Sequence, residues 1–525
     1  MQISFKFDIA RKRRCCQLPY LIGVDIGTSG TKTILIDETG KVLAHAMQEY
    51  PLYSPKPLWS EQNPLDWWNA SFTTIKAVLQ KSGIDPREVA GVGLSGQMHG
   101  SVFLDEANEV IRPALLWNDQ RTQAECDWIT ETVGKRRVVE LISNPVLTGF
   151  TAGKIVWLRN HEPHNYSRVK KVLLPKDFVR LKLTGEFATE VSDASGTALF
   201  DVRKRNWSYE MLAAIGISAD WMPKCYESFE ISGRITQEAS KLTGLPSGTP
   251  VVGGGGDQAA GAVGNGIVET GIVSSTVGTS GVVFAFSDEP RVDPNLRLHT
   301  FCHAVPGKWH LMGVMLSAGG SLQWYRDTLC MPEKAIAPAL GKDPYDLICE
   351  EASRAPVGSE GLIFLPYLTG ERSPYADANA RGVMFGLTRR SDRTHIARAV
   401  LEGVAYGLYD SFKIMQEMNL PVSQVRASGG GARSEIWRQI QADITGQPHV
   451  TISVDEGPAF GVALLAGVGS GVYSSIEEAC RATIQIKAST PPIPSNHAAY
   501  QKFHALYQKL YAHLKDDFAE VAKLV

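Results

Sequence analysis

The stretch GVDIGTSGTKTILID, residues 23–37, decides the fold. It has the glycines and hydroxyls of a phosphate-binding loop. It lacks the closing Gly-Lys-Ser/Thr of a P-loop, and no helical pattern follows it. One apolar run, YLIGVDIG, enters the turn and a second, TKTILIDE, leaves it, so the pattern predicts a hairpin inside a sheet. After a Thr-Gly turn, KVLAHAMQEY alternates as a third strand. A glycine turn of this kind exposes backbone N–H groups. Thr28 and Ser29 add hydroxyls, and Asp25 stands at the mouth. This chemistry suits a polyphosphate with a cation beside it; the plain alternative is an ordinary hairpin.

Further along, NPLDWWNASFTTIKAVLQKSG reads as a helix, with Asn63 as N-cap and Pro64 at the first helical position. Leu65, Trp68, Phe72, Ile75, Val78 and Leu79 are its expected buried face. EVAGVGLSGQMHGSVFLDE reads as strand, loop and strand. Strands alternating with helices place the chain in the α/β class.

The second half repeats the first. VDIGTSG at 24–30 returns as STVGTSG at 275–281, an offset of 251 residues, again between apolar strands. Asp25 of the first copy corresponds to Thr276 of the second, so the turn is duplicated and the carboxylate is not. Two such turns facing each other across a cleft could hold one polyphosphate from both sides, with Asp25 near a Mg²⁺ ion. Two further glycine clusters stand out. In PVVGGGGDQAAGAVGNG (250–266), four glycines let the backbone pass close to a ligand or to another chain segment. Asp257 after them is either a general base or the cap of the helix that follows. In ASGGGARSEIWRQIQADITGQ (427–447), a strand ends in three glycines and a helix begins near Ser434. That arrangement is a nucleotide-binding position in α/β proteins, or a tight turn.

Composition narrows the classes. A chain of 525 residues, 44% apolar and 21% charged, buries large cores and divides into at least two domains. A net charge of −2 gives no basic field for nucleic acid. No apolar run is long enough to span a membrane. Eight scattered cysteines without a CxxC pair read as reduced thiols, which points to the cytoplasm. The first 20 residues, with RKRR at 11–14, read as a disordered extension ahead of the first strand.

These motifs, with PLWSEQNP, GLSGQMHG, LLWNDQRT, LPYLTGERSPY and RAVLEGVAYGL, occur in an order and spacing that resembles the FGGY family of carbohydrate kinases. The resemblance runs from about residue 21 to about 510 and implies two actin-like ATPase (ribonuclease H-like) domains with an interdomain active-site cleft. It divides the chain into 21–265, carrying the sugar side and first phosphate turn, and 266–525, carrying the nucleotide side. NGIVETG near 265–270 is the expected hinge. GQMHG and PLWSEQ imply phosphorylation of D-xylulose at O5 by ATP with Mg²⁺, giving D-xylulose 5-phosphate and ADP in xylose catabolism. The implied partners are a sugar and ATP, with no nucleic acid and no membrane; assembly as a homodimer is left open.

The resemblance also implies roles. Asp257 matches the catalytic base, for which an ordinary carboxylate pKa suffices because the hydroxyl proton leaves late in a loose transition state, and Asp25 the metal-associated aspartate. Met98 and His99 match the sugar-binding pair; Gln258, Trp117 and Asp119 lie near the sugar. Thr28 and Ser29 belong to the first phosphate turn, Gly278 and Thr279 to the second. Gly319, Gln323, Gly430, Gly431 and Ser434 match nucleotide-side segments. The family often has Asn after its catalytic Asp, where this chain has Gln258, as relatives also do. Two other readings are a kinase of the same fold acting on ribulose, glycerol or gluconate, and an actin-like nucleotide-binding protein without chemistry. Retention of both Asp25 and Asp257 argues against the latter.

Overall fold

The computed structural model describes residues 19–454 and 456–524. The expected basic extension falls almost wholly outside them. Alternating apolar patterns become two seven-stranded sheets. In the first, β1 (Tyr20–Ile26), β2 (Gly30–Ile36), β3 (Val42–Glu49), β4 (Val89–Gly96), β5 (Ile231–Arg234) and β6 (Pro250–Val252) lie in the order β5-β6-β4-β1-β2-β3, and Gly255–Gly256 pairs beside β4. In the second, β7 (Gly271–Val277), β8 (Gly281–Ser287), β9 (His299–Cys302), β10 (Trp309–Met315), β11 (Val422–Ser428), β12 (His449–Ile452) and β13 (Ile486–Thr490) lie in the order β9-β10-β8-β7-β11-β12-β13. Each sheet has the same heart. Its first strand pairs antiparallel with the strand after the Gly-Thr-Ser-Gly turn, and parallel with β4 or β11. The repeat read from four residues is therefore a repeat of topology.

The two turns are not identical. Ile26 pairs with Thr31, whereas Val277 pairs with Gly281, so the second copy closes one residue tighter.

Helix α1 (Pro64–Ser82) starts at Asn63, whose side chain accepts from the Leu65 N–H. Its buried face differs from the expected one. Trp67, Ala70, Ser71, Thr74, Ile75, Val78 and Leu79 are buried, while Leu65 is 42% exposed and Trp68 and Phe72 are only partly covered. Small Ala70, Ser71 and Thr74 let the helix lie close to β2 and β3, and Thr74 meets Thr33 of β2 at 2.7 Å.

Three of the four glycines of 253–256 are required by other chain segments. A Cβ on Gly254, which has φ +71°, would lie 1.9 Å from the Leu94 carbonyl oxygen. One on Gly253 would lie 2.5 Å from that of Glu227, and one on Gly256 would lie 2.9 Å from Met98 Cγ. This loop leads into α2 (Asp257–Gly264).

Helix α3 (Pro458–Gly469) belongs to the second half by sequence but is seated on the first sheet, against β1 and β4, and on α2. It is apolar on all sides and buried from Ala459 to Gly467, as such a composition requires. Leu21, Ile34, Val252, Ala260, Phe284, Phe286 and Leu464 belong to one apolar cluster, so a continuous core joins the halves. No helix among the described residues is long and apolar enough to cross a membrane, and six described cysteines are free thiols.

Candidate active site

Asp25 lies near the end of β1, where the hairpin opens into a cleft of about 360 Å³ between the halves. The same cleft is lined by Lys32, Asp257, Gln258, Thr276, Ser428 and Glu456. One oxygen of Asp25, Oδ1, is buried without a hydrogen-bond partner. Burial pushes the Asp25 carboxyl up to about 6, against the opposing influence of Ser95 and Lys32.

Asp257 is the first residue of α2; the cap position is Gly256, which has no side chain to cap with. The cap alternative therefore fails, and the carboxylate is left to the cleft. A helix N-terminus favours an anion, yet burial dominates, and with the charge of Asp25 it pushes Asp257 up to about 7.

Met98 and His99 follow β4, and Met98 packs against Gly256, the residue before this aspartate. His99 has φ +68°. Its carbonyl accepts from Lys154 Nζ at 2.8 Å and from Thr151 Oγ1 at 3.1 Å, which hold this left-handed residue in place. Burial, then the Lys154 charge, holds its imidazole well below the usual histidine range, so the ring is neutral. Nδ1 lies 2.7 Å from the Gly196 carbonyl, and a carbonyl only accepts, so Nδ1 carries the proton. Nε2 is left as an acceptor, suited to a hydroxyl. The ring stacks on Phe150 at 4.7 Å.

The segment LLWND is placed differently from expectation. Asp119 is wholly buried, and its carboxylate accepts from the Ser60 N–H at 2.7 Å and from Arg121 at 2.6 Å, so it braces a loop and has no oxygen free for a sugar. Trp117 Nε1 donates to Thr28 Oγ1 at 3.0 Å, and Thr28 in turn donates to Gln97 Oε1 at 3.2 Å. Trp117 thus fastens the first phosphate turn. Ser29 is exposed at the tip of that turn.

The nucleotide-side residues converge. Gly278, Thr279, Gly319, Gln323, Gly430, Gly431 and Ser434 line one cavity of about 280 Å³, with Leu322, Tyr345 and Trp437 as apolar walls. The Gly319 N–H donates to the Gly278 carbonyl at 2.8 Å, and the Gly320 N–H to that of Thr279 at 2.9 Å, which docks the helix Gly319–Leu329 on the second turn. Ser434 caps the helix Glu435–Thr445. Cavity and cleft meet at the chain neighbours Gly429 and Gly430.

Lys32 escaped the sequence reading. It sits on β2 with its ammonium in the cleft, 2.5 Å from Glu456. Its signal was the seven-residue spacing from Asp25 in DIGTSGTK, which sets Lys32 directly opposite Asp25 across the hairpin.

A duplicated sheet pair with acidic groups in the cleft between the halves defines the class of actin-like, ribonuclease H-like nucleotide-dependent enzymes. The FGGY carbohydrate kinase N-terminal domain matches residues 20–264 and the C-terminal domain residues 273–470. The chain belongs to the FGGY family of carbohydrate kinases, whose chemistry takes ATP and a sugar as substrates. It is 42% identical to the xylulose kinase of Escherichia coli over 94% of this chain and 99% of that one. Two solved structures from Lactobacillus acidophilus are also similar. A ligand-bound xylulose kinase has a TM-score of 0.89 at 28% identity, covering 96% of this chain and 100% of that one. A gluconate kinase has a TM-score of 0.89 at 29% identity, covering 96% and 100%.

Proposed function

We propose that this protein transfers the γ-phosphoryl group of ATP to O5 of D-xylulose, forming D-xylulose 5-phosphate and ADP in xylose catabolism, with Asp257 as general base. The observation that carries the reading is the place of Asp257. It shares one cleft with Asp25, Lys32 and Thr276, and Met98 packs against the Gly256 that precedes it. The similarity to xylulose kinases over nearly the full chain supports the choice of sugar.

The chemistry follows from the groups present. Adenine rests between Leu322, Tyr345 and Trp437, and the phosphates run along Gly278 and Thr279 into the cleft. Gly27 and Gly278 use their N–H groups to close the turns, so Thr28, Ser29 and Thr279 supply the donors for phosphate oxygens. Lys32 adds a positive charge. Phosphoryl transfer needs positioning and charge neutralisation more than covalent help. His99 Nε2 accepts from a sugar hydroxyl, and Asp257 takes the O5 proton as that oxygen attacks.

The orphaned Asp25 Oδ1 beside Asp257 fits a hard cation, directly or through water. Among the described residues no group of three or more His, Cys, Asp or Glu could hold a metal, so a cation held at Asp25 would take its remaining ligands from phosphate oxygens or water. A bound Mg²⁺ would neutralise phosphate charge there. The reading divides the chain near residue 265 and places the enzyme in the cytoplasm, where its free cysteines stay reduced.

The test is ATP turnover with D-xylulose, D-ribulose, glycerol and gluconate as separate acceptors. D-xylulose is expected to give the highest kcat/KM. Preference for gluconate would replace the sugar but keep the kinase; no acceptor-stimulated turnover would overturn both.

A further inference from the structure

The loop that delivers Asp257 is fastened by charged side chains that the transfer step itself does not use. Lys176, Asp177, Arg180, Glu190 and Asp193 are all fully buried. Lys176 Nζ lies 2.8 Å from Asp177, 2.9 Å from Asp193 and 3.5 Å from Glu190. Arg180 donates to the carbonyls of Val252 at 3.2 Å and Gly253 at 2.6 Å. Glu190 Oε1 accepts from the Gly256 N–H at 3.2 Å, the Asp193 N–H at 2.8 Å and the Ser192 hydroxyl at 3.0 Å. Its Oε2 accepts from the Ser192 N–H at 2.7 Å and the Ser228 hydroxyl at 3.0 Å. The Ser192 hydroxyl is a second acceptor for the Gly256 N–H, at 3.1 Å.

A buried cluster of five charges is a poor source of stability, since well-packed apolar groups often serve as well. What the cluster holds is more telling. The hydrogen bonds it makes to 252–256 fix peptide planes, and the last of them, Gly255–Gly256, stands one residue ahead of Asp257. Gly256 has no side chain with which to anchor itself. Its N–H is the handle, and it fixes the backbone from which Asp257 departs.

We propose that Glu190 is a positioning residue for the transfer: by accepting the Gly256 N–H it aims the Asp257 carboxylate at the acceptor hydroxyl, while Lys176 secures Glu190 and Arg180 secures the loop carbonyls. This inference rests on the reading of Asp257 as general base.

The test is a double-mutant cycle on the full chain with Glu190→Gln and Asp257→Asn. A glutamine must turn its amide nitrogen toward one of the N–H groups that both carboxylate oxygens now accept. Misaiming a reacting group by an ångström costs up to about 100-fold, so Glu190→Gln should lower kcat about 10- to 100-fold. KM for D-xylulose and for ATP should stay within about threefold. With Asp257→Asn already present nothing remains to be aimed, and the added loss should be under about twofold. Equal losses in both backgrounds would make Glu190 merely structural, and parent-like kcat in Glu190→Gln would also overturn the proposal. Parent-like kcat in Asp257→Asn alone would instead remove the general base, and this inference with it. If Glu190→Gln does not fold, Ser192→Ala removes the second acceptor of the same N–H. It should lower kcat about 3- to 10-fold, given the usual worth of one hydrogen bond, with the same non-additivity; parent-like kcat there overturns the proposal.

Discussion

The Gly196 carbonyl oxygen lies 2.7 Å from Nδ1 of His99, and a Cβ at position 196 would lie 2.4 Å from that same nitrogen. One residue therefore sets both the tautomer and the position of this histidine. Phe150 behind the ring and Lys154 behind the main chain leave it little room to retreat.

Gly196→Ala is expected to push the imidazole aside and leave a sugar hydroxyl unpaired. Such a loss is worth about 1–3 kcal/mol, which corresponds to a rise of about 5- to 150-fold in the KM for D-xylulose. The affinity for ATP should be unchanged, because the nucleotide cavity is built from other elements. Steady-state kinetics with each substrate varied in turn checks this. Equal weakening of both would mean that the cleft as a whole was disturbed.

Asp257 gives a pH signature with a defined sign. Its carboxyl is pushed up to about 7, by burial first and by the Asp25 charge second. Binding of D-xylulose without nucleotide or metal should therefore weaken as pH falls through about 7, since a protonated Asp257 is a weaker, uncharged acceptor for the O5 hydroxyl. Asp25→Asn removes a nearby negative charge and should move this acidic limb to lower pH. His99 is held neutral across the range and adds no limb of its own. Calorimetric titrations between pH 5.5 and 8.5, in chelator, would measure the limb, and an unmoved limb in Asp25→Asn would separate the two carboxylates.

What was legible in the sequence was local. The Gly-Thr-Ser-Gly repeat is contiguous, and it led to the paired sheets; the contiguous family motifs led to Gly278, Thr279, Gly319, Gln323, Gly430, Gly431 and Ser434, which line one cavity. What stayed hidden depends on partners far away in the chain. Nothing near Gly254 announces that Leu94 will press on it, and nothing near Asp119 announces Arg121 and Ser60 as one brace. The face of α1 was misjudged because bulky Leu65 and Trp68 outweigh Ala70 and Ser71 in any apolar pattern, although close packing against a sheet favours the small residues. The buried cluster around Glu190 gave no pattern at all, because charged residues in a short segment read as surface.

Lys32 and Glu456 meet at 2.5 Å, and both side chains remain partly exposed. Such a pair contributes little to stability, so its interest is in what it holds ready. When phosphates enter, they can replace Glu456 as the partner of Lys32. Lys32→Met is expected to lower kcat about 100-fold, in line with the loss of one donor to developing charge. Glu456→Gln should stay within about threefold of the parent, since an exposed pair of this kind is worth at most about 1 kcal/mol. Turnover at saturating ATP and sugar compares them; equal losses would show that the pair, and not the lysine, is needed.

The last prediction concerns motion. The expected hinge at 265–270 is one of several crossings between the halves. Because α3 is seated on the first sheet, the chain crosses again between β12 and Pro458 on its way in, and returns to the second sheet at β13. The packing of α3 leaves no slack: a Cβ on Gly23 would lie 1.8 Å from the Ala459 carbonyl oxygen, and one on Gly461 would lie 1.8 Å from that of Ala260. Helix and first sheet therefore move as one body, and the bending falls to the crossings. Gly266, Gly271 and Gly457 stand there with φ of +67°, +97° and +58°, a region that glycine enters freely and other residues do not. Around Gly457 nothing lies within 4 Å of an added Cβ, so Gly457→Ala alters the backbone preference without a clash. Sugar and nucleotide together should draw the halves closer, excluding water from the γ-phosphate. Small-angle scattering of the parent should show a smaller radius of gyration with D-xylulose and a non-hydrolysable ATP analogue than with either alone. Gly457→Ala should lower kcat while leaving the apo scattering unchanged. An identical radius of gyration in all parent states would mean that the cleft is already closed before substrates arrive.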